Sequence, residues 1–522
     1  MATYAKMADA SSRSYLYLCL AVVSLLAVLL ARRRRRSDTA RDGHGGGLRL
    51  PPGPWQLPVI GSLHHMVGKP PHRAMHDLAR RHGAPVMALQ LGEVPTVVIS
   101  SPEAAQEVLR TNDAVFATRR LSCSMGAATK GRSMSFAPYG DYWRMLRKVA
   151  VTELLCASRV ASFRSIREEE VAAWLRALAA GERGVELEMQ AELTRLVANS
   201  TVRTVVGDGD RCAHRDEFLR QLERANKLAT VFNPVDLWPS SRLAARLSGG
   251  VRKFVGCVDE IRRIVDGIIQ EHLEKPRGGR EDFLDVLLRI HKEGELQVPL
   301  DMESIHYLVA DLFAGGSDTS ATLLEWTLAE LIRNPKVMAK ATAEVRDAFA
   351  AAGAVSEGRA LGELRYLQLV IKESLRLHPP VPLLLPRECQ EPSRVLGYDV
   401  PRGTQVLVNV FALSRDERCW PAAEEFLPER FGDGEAAAGL DFRGADMEFV
   451  PFGAGRRMCP GMALVLANTE LTIASLLFHF DWEAPGIADP TKLDMTEEFG
   501  VTMRRKNKLL LRPVLRIPVP GA

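Results

Sequence analysis

The chain has 522 residues, 46% of them hydrophobic and 25% charged, with a formal net charge of +4. That composition supplies a large core and excludes a disordered or fibrous protein, while eight cysteines with no C-x-x-C pair or regular framework exclude a disulfide scaffold and fit a reducing compartment. Residues 1–36 hold seven basic side chains and a single acid, so the remaining chain carries a net charge of −2, and nothing in it calls for nucleic acid.

The first expected element is a membrane anchor. Residues 15–31 contain no charge and run straight into five arginines, Arg32 to Arg36. The run reaches the lower end of the roughly 17 to 25 residues that span a bilayer, and no small-residue cleavage site follows it, so an uncleaved signal anchor is expected rather than a secretory signal. The arginines outweigh Lys6 and Arg13, placing residues 1–14 on the lumenal side and the rest in the cytosol. Residues 32–58 read as a basic, proline-rich hinge, with Leu50-Pro51-Pro52-Gly53-Pro54-Trp55 as its stiff part and the arginines suited to anionic headgroups. Alternation at 86–90 and 96–100 predicts short strands. From about residue 102 to 376 helical periodicity dominates, including 251–273, 302–333 and 335–350, the last two punctuated by Asn334-Pro335. Residues 278–280 and 432–439 read as surface loops.

Four constellations in this helical stretch and beyond could carry chemistry. Trp143 and Arg147 are four apart, on one helical face, where a shared ligand or a simple cation–π pair would place them. Helix 302–333 is apolar around most of its circumference, which predicts burial, yet its middle reads Ala314-Gly315-Gly316-Ser317-Asp318-Thr319-Ser320. Two mid-helix glycines cost roughly 1 kcal/mol each relative to alanine, so the helix needs the space, opens its hydrogen-bond ladder, or breaks there with Asp318 as a cap. Glu373 and Arg376 lie three apart on helix 367–378, stopped by Pro379-Pro380, and Arg430 stands in Phe426-Leu427-Pro428-Glu429-Arg430-Phe431. Arg387 follows Leu385-Pro386 and reads either as a ligand-facing cation or as a surface strand arginine.

The most specific segment is 451–461, PFGAGRRMCPG, which enters the apolar helix 462–480. Cys459 stands at that helix N-terminus, where the backbone dipole and free N–H groups favour a thiolate and hence a metal ligand. A buried free cysteine in a glycine-rich turn is the plain alternative.

Phe452, Gly455, Arg457, Cys459 and Gly461 are spaced as F-x-x-G-x-R-x-C-x-G, and this resembles the haem-binding signature of the cytochrome P450 family. The other constellations resemble that family's motifs in order. The hinge, the FLPERF segment and AGGSDTS look most like plant members of the endoplasmic reticulum clan of specialised metabolism. The resemblance implies a mainly α fold with a small β lobe, a helical prism around one haem b, filling residues 59–522. It implies Cys459 as axial thiolate; Phe452, Gly455 and Gly461 shaping the loop around it; and Arg457, Trp143, Arg147 and Arg387 beside the propionates. It also implies Asp318 and Thr319 as proton relay and hydroxyl in an oxygen-binding groove, and Glu373, Arg376 and Arg430 as a buried structural network. The distal pocket by position along the fold would use Val309, Phe313, Ala314, Val381, Leu385 and Val501. Ser317 and Ser320 depart from the threonines of many relatives. The implied reaction is NADPH-dependent insertion of one oxygen atom from O2 into an apolar metabolite, a sesquiterpene or diterpene olefin in plant defence, including successive oxidations at one carbon. An indole or phenolic defence metabolite is the alternative substrate, and a haem protein that binds without turnover is the alternative class. With no G-x-G-x-x-G nucleotide site of its own, the chain would take electrons from NADPH–cytochrome P450 reductase, with cytochrome b5 as a further donor, as a single-pass protein of the endoplasmic reticulum membrane.

Overall fold

The computed structural model describes residues 48–181, 184–207, 215–228, 233–274 and 281–522. The expected anchor at 15–31, the segment before it, the first part of the hinge and the loop at 278–280 lie outside them. The described end of the hinge lies against the sheet, where the Ala88 N–H donates to the Pro52 carbonyl at 2.8 Å.

The architecture is organised by the 32-residue helix Met302–Arg333, capped by the Asp301 carboxylate on the Ser304 N–H and ended at Asn334 ahead of Pro335. This central helix remains helical through Gly315-Gly316, so the glycines supply space rather than a break: a Cβ at Gly315 would meet nothing within 4 Å, and one at Gly316 would touch Thr201 on the neighbouring helix Met189–Val206. Its N-terminal half packs into one apolar cluster with Gly249–Glu274 and Phe283–Glu293. Its C-terminal half packs into another with Pro335–Phe349, Arg365–Leu377 and Met462–His479. Met462–His479 is long and apolar enough to cross a membrane by length and composition, but it is largely buried in this second cluster and serves as a core helix.

The β lobe is a five-stranded sheet in the order Val86–Leu91, Val94–Ile99, Gln405–Val408, Arg387–Glu388, Thr118–Arg119. The first two strands form a tight hairpin through Gly92 at φ +62°, which starts the second strand two residues before its predicted position. Its far edge pairs Arg119 directly with Arg387. A separate hairpin, Glu497–Phe499 with Met503–Arg505, lies against the central helix through the Trp326 indole, which donates to the Met503 carbonyl at 2.7 Å.

Candidate active site

Between the central helix and the loop at 451–461 lies a cavity of about 260 Å³. The loop's shape follows from its glycines. Gly455 sits at φ +68°, and a Cβ there would fall 2.2 Å from the Leu109 carbonyl oxygen, so no other residue fits. The turn Gly455–Arg457 then brings Cys459 back until its N–H donates to the Phe452 carbonyl at 2.9 Å, while Gly461 caps Met462–His479. The Phe452 ring packs on Phe442 at 5.6 Å and lines the cavity beside Cys459 and Gly461.

Position at a helix start does not by itself make Cys459 an anion. Burial pushes its thiol up, and the Gly461 N–H and the Arg147 charge pull only partly the other way. Deprotonation is left to a bound metal ion, which removes the proton of a coordinating thiol outright.

Cations surround the same cavity. Arg147, Arg387 and Arg457 all line it, and so does Arg119, which no motif singled out. Arg387 is a strand residue, as one reading had it, but it is buried: it pairs with Asp113 at 3.1 Å and donates to the Ala454 carbonyl at 3.1 Å. Arg457 donates to the carbonyls of Ala117 (2.7 Å) and Met134 (3.2 Å), with its guanidinium 4.2 Å above the Trp143 ring. The cation over Trp143 is therefore Arg457 rather than Arg147, and the indole N–H donates to the Met134 carbonyl at 3.1 Å. Burial, aided by repulsion from Arg387 and Arg147, lowers Arg457 to about 9. Burial and the charges of Arg387 and Arg457 hold Arg119 well below the usual guanidinium range, and burial lowers Arg147 and Arg387. Among the described residues only Arg387 of these four guanidiniums is ion-paired with a carboxylate, Asp113, and the cavity carries more positive than negative charge. The residues present fit a metal cofactor that carries carboxylates: Cys459 would offer the metal its sulfur, and the four arginines with Trp143 would meet the carboxylates.

The remaining expected residues divide. Thr319 lines the cavity, its hydroxyl donating to the Gly315 carbonyl at 2.6 Å. Asp318 is buried but turns to the hairpin instead: its carboxylate accepts the Thr502 hydroxyl at 2.6 Å and is paired with Arg504. Val381 and Leu385 line the cavity; Val309, Phe313, Ala314 and Val501 do not. Cavity-facing positions on the central helix are Asp311, Gly315 and Thr319 with Leu312, Gly316 and Leu323. At roughly 100° per residue Phe313 points to the opposite side, and its ring packs on Phe218 at 4.5 Å, with Val309 and Ala314 in the same cluster. Val501 sits in the hairpin turn, half-buried and off the cavity wall. Thr201, Thr204 and Val205 complete the wall from Met189–Val206, a helix without any motif; the signal for Asp311 was its four-residue spacing to Gly315 and Thr319.

Behind the cavity the Glu373 group is assembled. Glu373 and Arg376 are 0% exposed and joined by two hydrogen bonds of 2.8 and 2.7 Å. Arg430 Nε reaches Glu373 at 3.0 Å, and the Leu427 N–H donates to the same carboxylate at 2.9 Å. These bonds tie Arg365–Leu377 to the segment that leads into the cysteine loop.

Comparison with known proteins places this geometry. The family model described as Cytochrome P450 matches residues 51–512. The chain is 47% identical to zealexin A1 synthase of Zea mays over 90% of this chain and 93% of that protein. It is 45% identical to dolabradiene monooxygenase of Zea mays (96% and 98% covered) and 47% identical to ent-cassadiene hydroxylase of Oryza sativa subsp. japonica (96% and 97%). A solved zebrafish cytochrome P450 with abiraterone superposes at a TM-score of 0.71 over 86% of this chain and 99% of that one, at 24% identity, and shares the mainly helical fold with its small β lobe.

Proposed function

The chain belongs to the cytochrome P450 family, and we propose that it is a haem-thiolate monooxygenase whose substrate is a sesquiterpene or diterpene olefin of plant defence metabolism. The observation that carries the substrate class is the cavity wall opposite Cys459: apart from Asp311 and the three threonines Thr201, Thr204 and Thr319 it is formed by Leu312, Leu323, Val205, Val381 and Leu384 with the two glycines. Such a wall favours a hydrocarbon, because a polar substrate would lose its water without gaining partners. The printed names of the relatives, a dolabradiene monooxygenase and an ent-cassadiene hydroxylase among them, support the same class.

Haem b, when bound, supplies the metal that activates O2 with electrons from NADPH delivered by a reductase. The chain's own residues hold and orient. Cys459 presents its sulfur from a loop fixed at Gly455, and Arg119, Arg147, Arg387 and Arg457 compensate the carboxylates of the cofactor. The apolar wall excludes water from the substrate side. Thr319 holds a hydroxyl at the cavity face of the groove, and we assign it the proton-donating position. Asp318 serves as its proton source once it leaves Thr502 and Arg504, since in the bonds described here it faces away from the cavity. The partners are a membrane-bound NADPH–cytochrome P450 reductase and cytochrome b5, and the location is the endoplasmic reticulum membrane with the catalytic domain in the cytosol.

The test is co-expression with a plant reductase in microsomes, with NADPH and separate panels of terpene olefins, indoles and phenolics, read by mass spectrometry. A terpene product heavier by one oxygen atom is expected; turnover confined to indoles or phenolics refutes the substrate class. Cys459→Ala is expected to abolish the reduced-CO absorbance band that gives the family its name, and retention of that band refutes the ligand assignment.

A further inference from the structure

Asp311 is the one carboxyl on the cavity wall among the described residues, one turn before Gly315 and two before Thr319 on the same helical stripe. Its oxygens reach off the helix to the loop at 133–137: Oδ1 accepts the Ser133 hydroxyl at 2.7 Å and Oδ2 accepts the Met134 N–H at 2.6 Å. That loop is a tight turn, closed by the Phe136 and Ala137 N–H groups on the Ser133 carbonyl at 3.1 and 2.7 Å. Its other edge is a row of carbonyls committed to the cofactor side. Met134 O receives the Trp143 indole and Arg457, Ser135 O receives Arg119 at 3.2 Å, and Ala137 O receives Arg457. Met134 and Ser135 themselves face the cavity.

We propose that Asp311 is a positioning residue that pins the 133–137 loop between the central helix and the arginine cluster, and thereby sets which carbon of the bound substrate meets the oxidant. The proposal rests on the monooxygenase reading above. A carboxylate suits this place and an amide does not. Two oxygens accept from two donors at once, whereas asparagine has one accepting oxygen and would turn its NH2 toward the other donor. The loop's carbonyl bonds cannot take over the pin, because they restrain its far edge and leave the Met134 N–H and Ser133 hydroxyl as buried donors without acceptors. Burial raises the Asp311 carboxyl to about 6 against the pull of these hydrogen bonds, so the fold keeps an unfavourable acid here. Placement of the reacting atom decides regiochemistry, and a wall that shifts by a fraction of an ångström moves it.

The test uses purified full-length protein loaded with haem, comparing wild type with Asp311→Asn and Ser133→Ala. Hydrogen exchange in peptides covering 131–139 is expected to quicken by about tenfold or more in D311N and less in S133A, as the loss of one or two hydrogen bonds predicts. The ratio of products from a substrate the wild type converts is expected to spread over more carbons in the same order, with the reduced-CO band retained. Unchanged exchange, or quicker exchange with an unchanged product ratio, overturns the proposal. If D311N takes up no haem, S133A decides on the same two readouts, since it keeps the carboxylate. A wild type that converts no substrate overturns the monooxygenase reading and the regiochemical part of the proposal, while exchange still decides the pin.

Discussion

Replacing Arg376 by lysine keeps the charge beside Glu373 and removes the planar fork, which separates two explanations of the buried network. All five guanidinium N–H groups are used: Nε and Nη2 on Glu373, the other Nη2 proton on the Glu425 carbonyl at 3.0 Å, and Nη1 on the carbonyls of Ser414 (2.7 Å) and Ala423 (2.8 Å). An ammonium has three donors on a flexible stem, so at least two of these buried acceptors lose their partner. At roughly 1 to 3 kcal/mol for each, with relaxation recovering part, R376K is expected to cost about 3 kcal/mol, a large share of a domain's stability of about 5 to 15 kcal/mol. For the 462 residues matched to the family, an unfolding entropy of about 2.1 cal/mol/K per residue turns this into a fall in Tm of about 3 °C. Urea titration followed by far-ultraviolet circular dichroism measures the free energy, and differential scanning calorimetry the Tm. R430K is the internal control: Arg430 contacts Glu373 through Nε alone, and its fork lies at the exposed edge of the group, so it is expected to cost less than half as much. If R376K lies within about 0.5 kcal/mol of wild type, charge compensation alone holds the network and the reasoning from donor count is wrong.

Three further substitutions test other parts of the structure. Glu325 is buried with neither oxygen hydrogen-bonded to protein, and burial, only partly offset by the Arg505 charge, raises it from 4.5 to about 7. A raised folded value means that the folded chain holds this proton more tightly, so stability falls as pH rises through this window; E325Q removes that loss and should gain on wild type by about 2 to 3 kcal/mol between about pH 5 and about pH 8. A pH-independent difference in urea titrations would contradict the assignment. Gly455→Ala places a Cβ 2.2 Å from the Leu109 oxygen in a left-handed backbone and should cost several kcal/mol, seen as loss of the folded, haem-binding fraction on expression. Thr319→Ala should keep the reduced-CO band while raising NADPH consumed per product; unchanged coupling would remove Thr319 from proton delivery.

What could be read from the chain without its structure was whatever depends on neighbours in sequence. Phe452 to Gly461 is a continuous ten-residue turn whose spacing of glycines, arginine and cysteine is readable along the chain, although the contact that forbids a side chain at Gly455 comes from Leu109, and the Glu373–Arg376 spacing fixes a pair wherever the helix lies. The rotational phase of the central helix was not legible, because a helix apolar all round has no stripe to orient it. Phe313 and Val309, expected in the pocket by position along the family fold, face the packing core, while the small and polar residues Gly315, Thr319 and Asp311 face the cavity. Arg119 and Asp113 were invisible for a different reason: their importance comes from pairing with Arg387, over 250 positions away in sequence.

The same contrast explains the electrostatics of the cysteine. From sequence, the helix start prepares Cys459 as a thiolate; in the structure, burial outweighs the Gly461 N–H and Arg147 and raises the thiol. Arg119, Arg387 and Arg457 are likewise held by backbone carbonyls, with Asp113 paired to Arg387, and all four guanidiniums around the cavity stand in sites that disfavour their charge. These two costs have opposite sign, an anion that the protein does not itself favour and an excess of cations. One ligand relieves both when its metal takes the sulfur and its carboxylates meet the arginines. Binding of the cofactor and stability of the fold are therefore linked, since a ligand that binds the folded chain alone shifts unfolding by mass action. Cys459 and the arginines are better understood as two halves of one binding site than as separate motifs. Removing any one cavity arginine should consequently weaken cofactor retention more than it weakens the fold without cofactor, because the apo protein sheds a repelling charge while the loaded protein loses a partner.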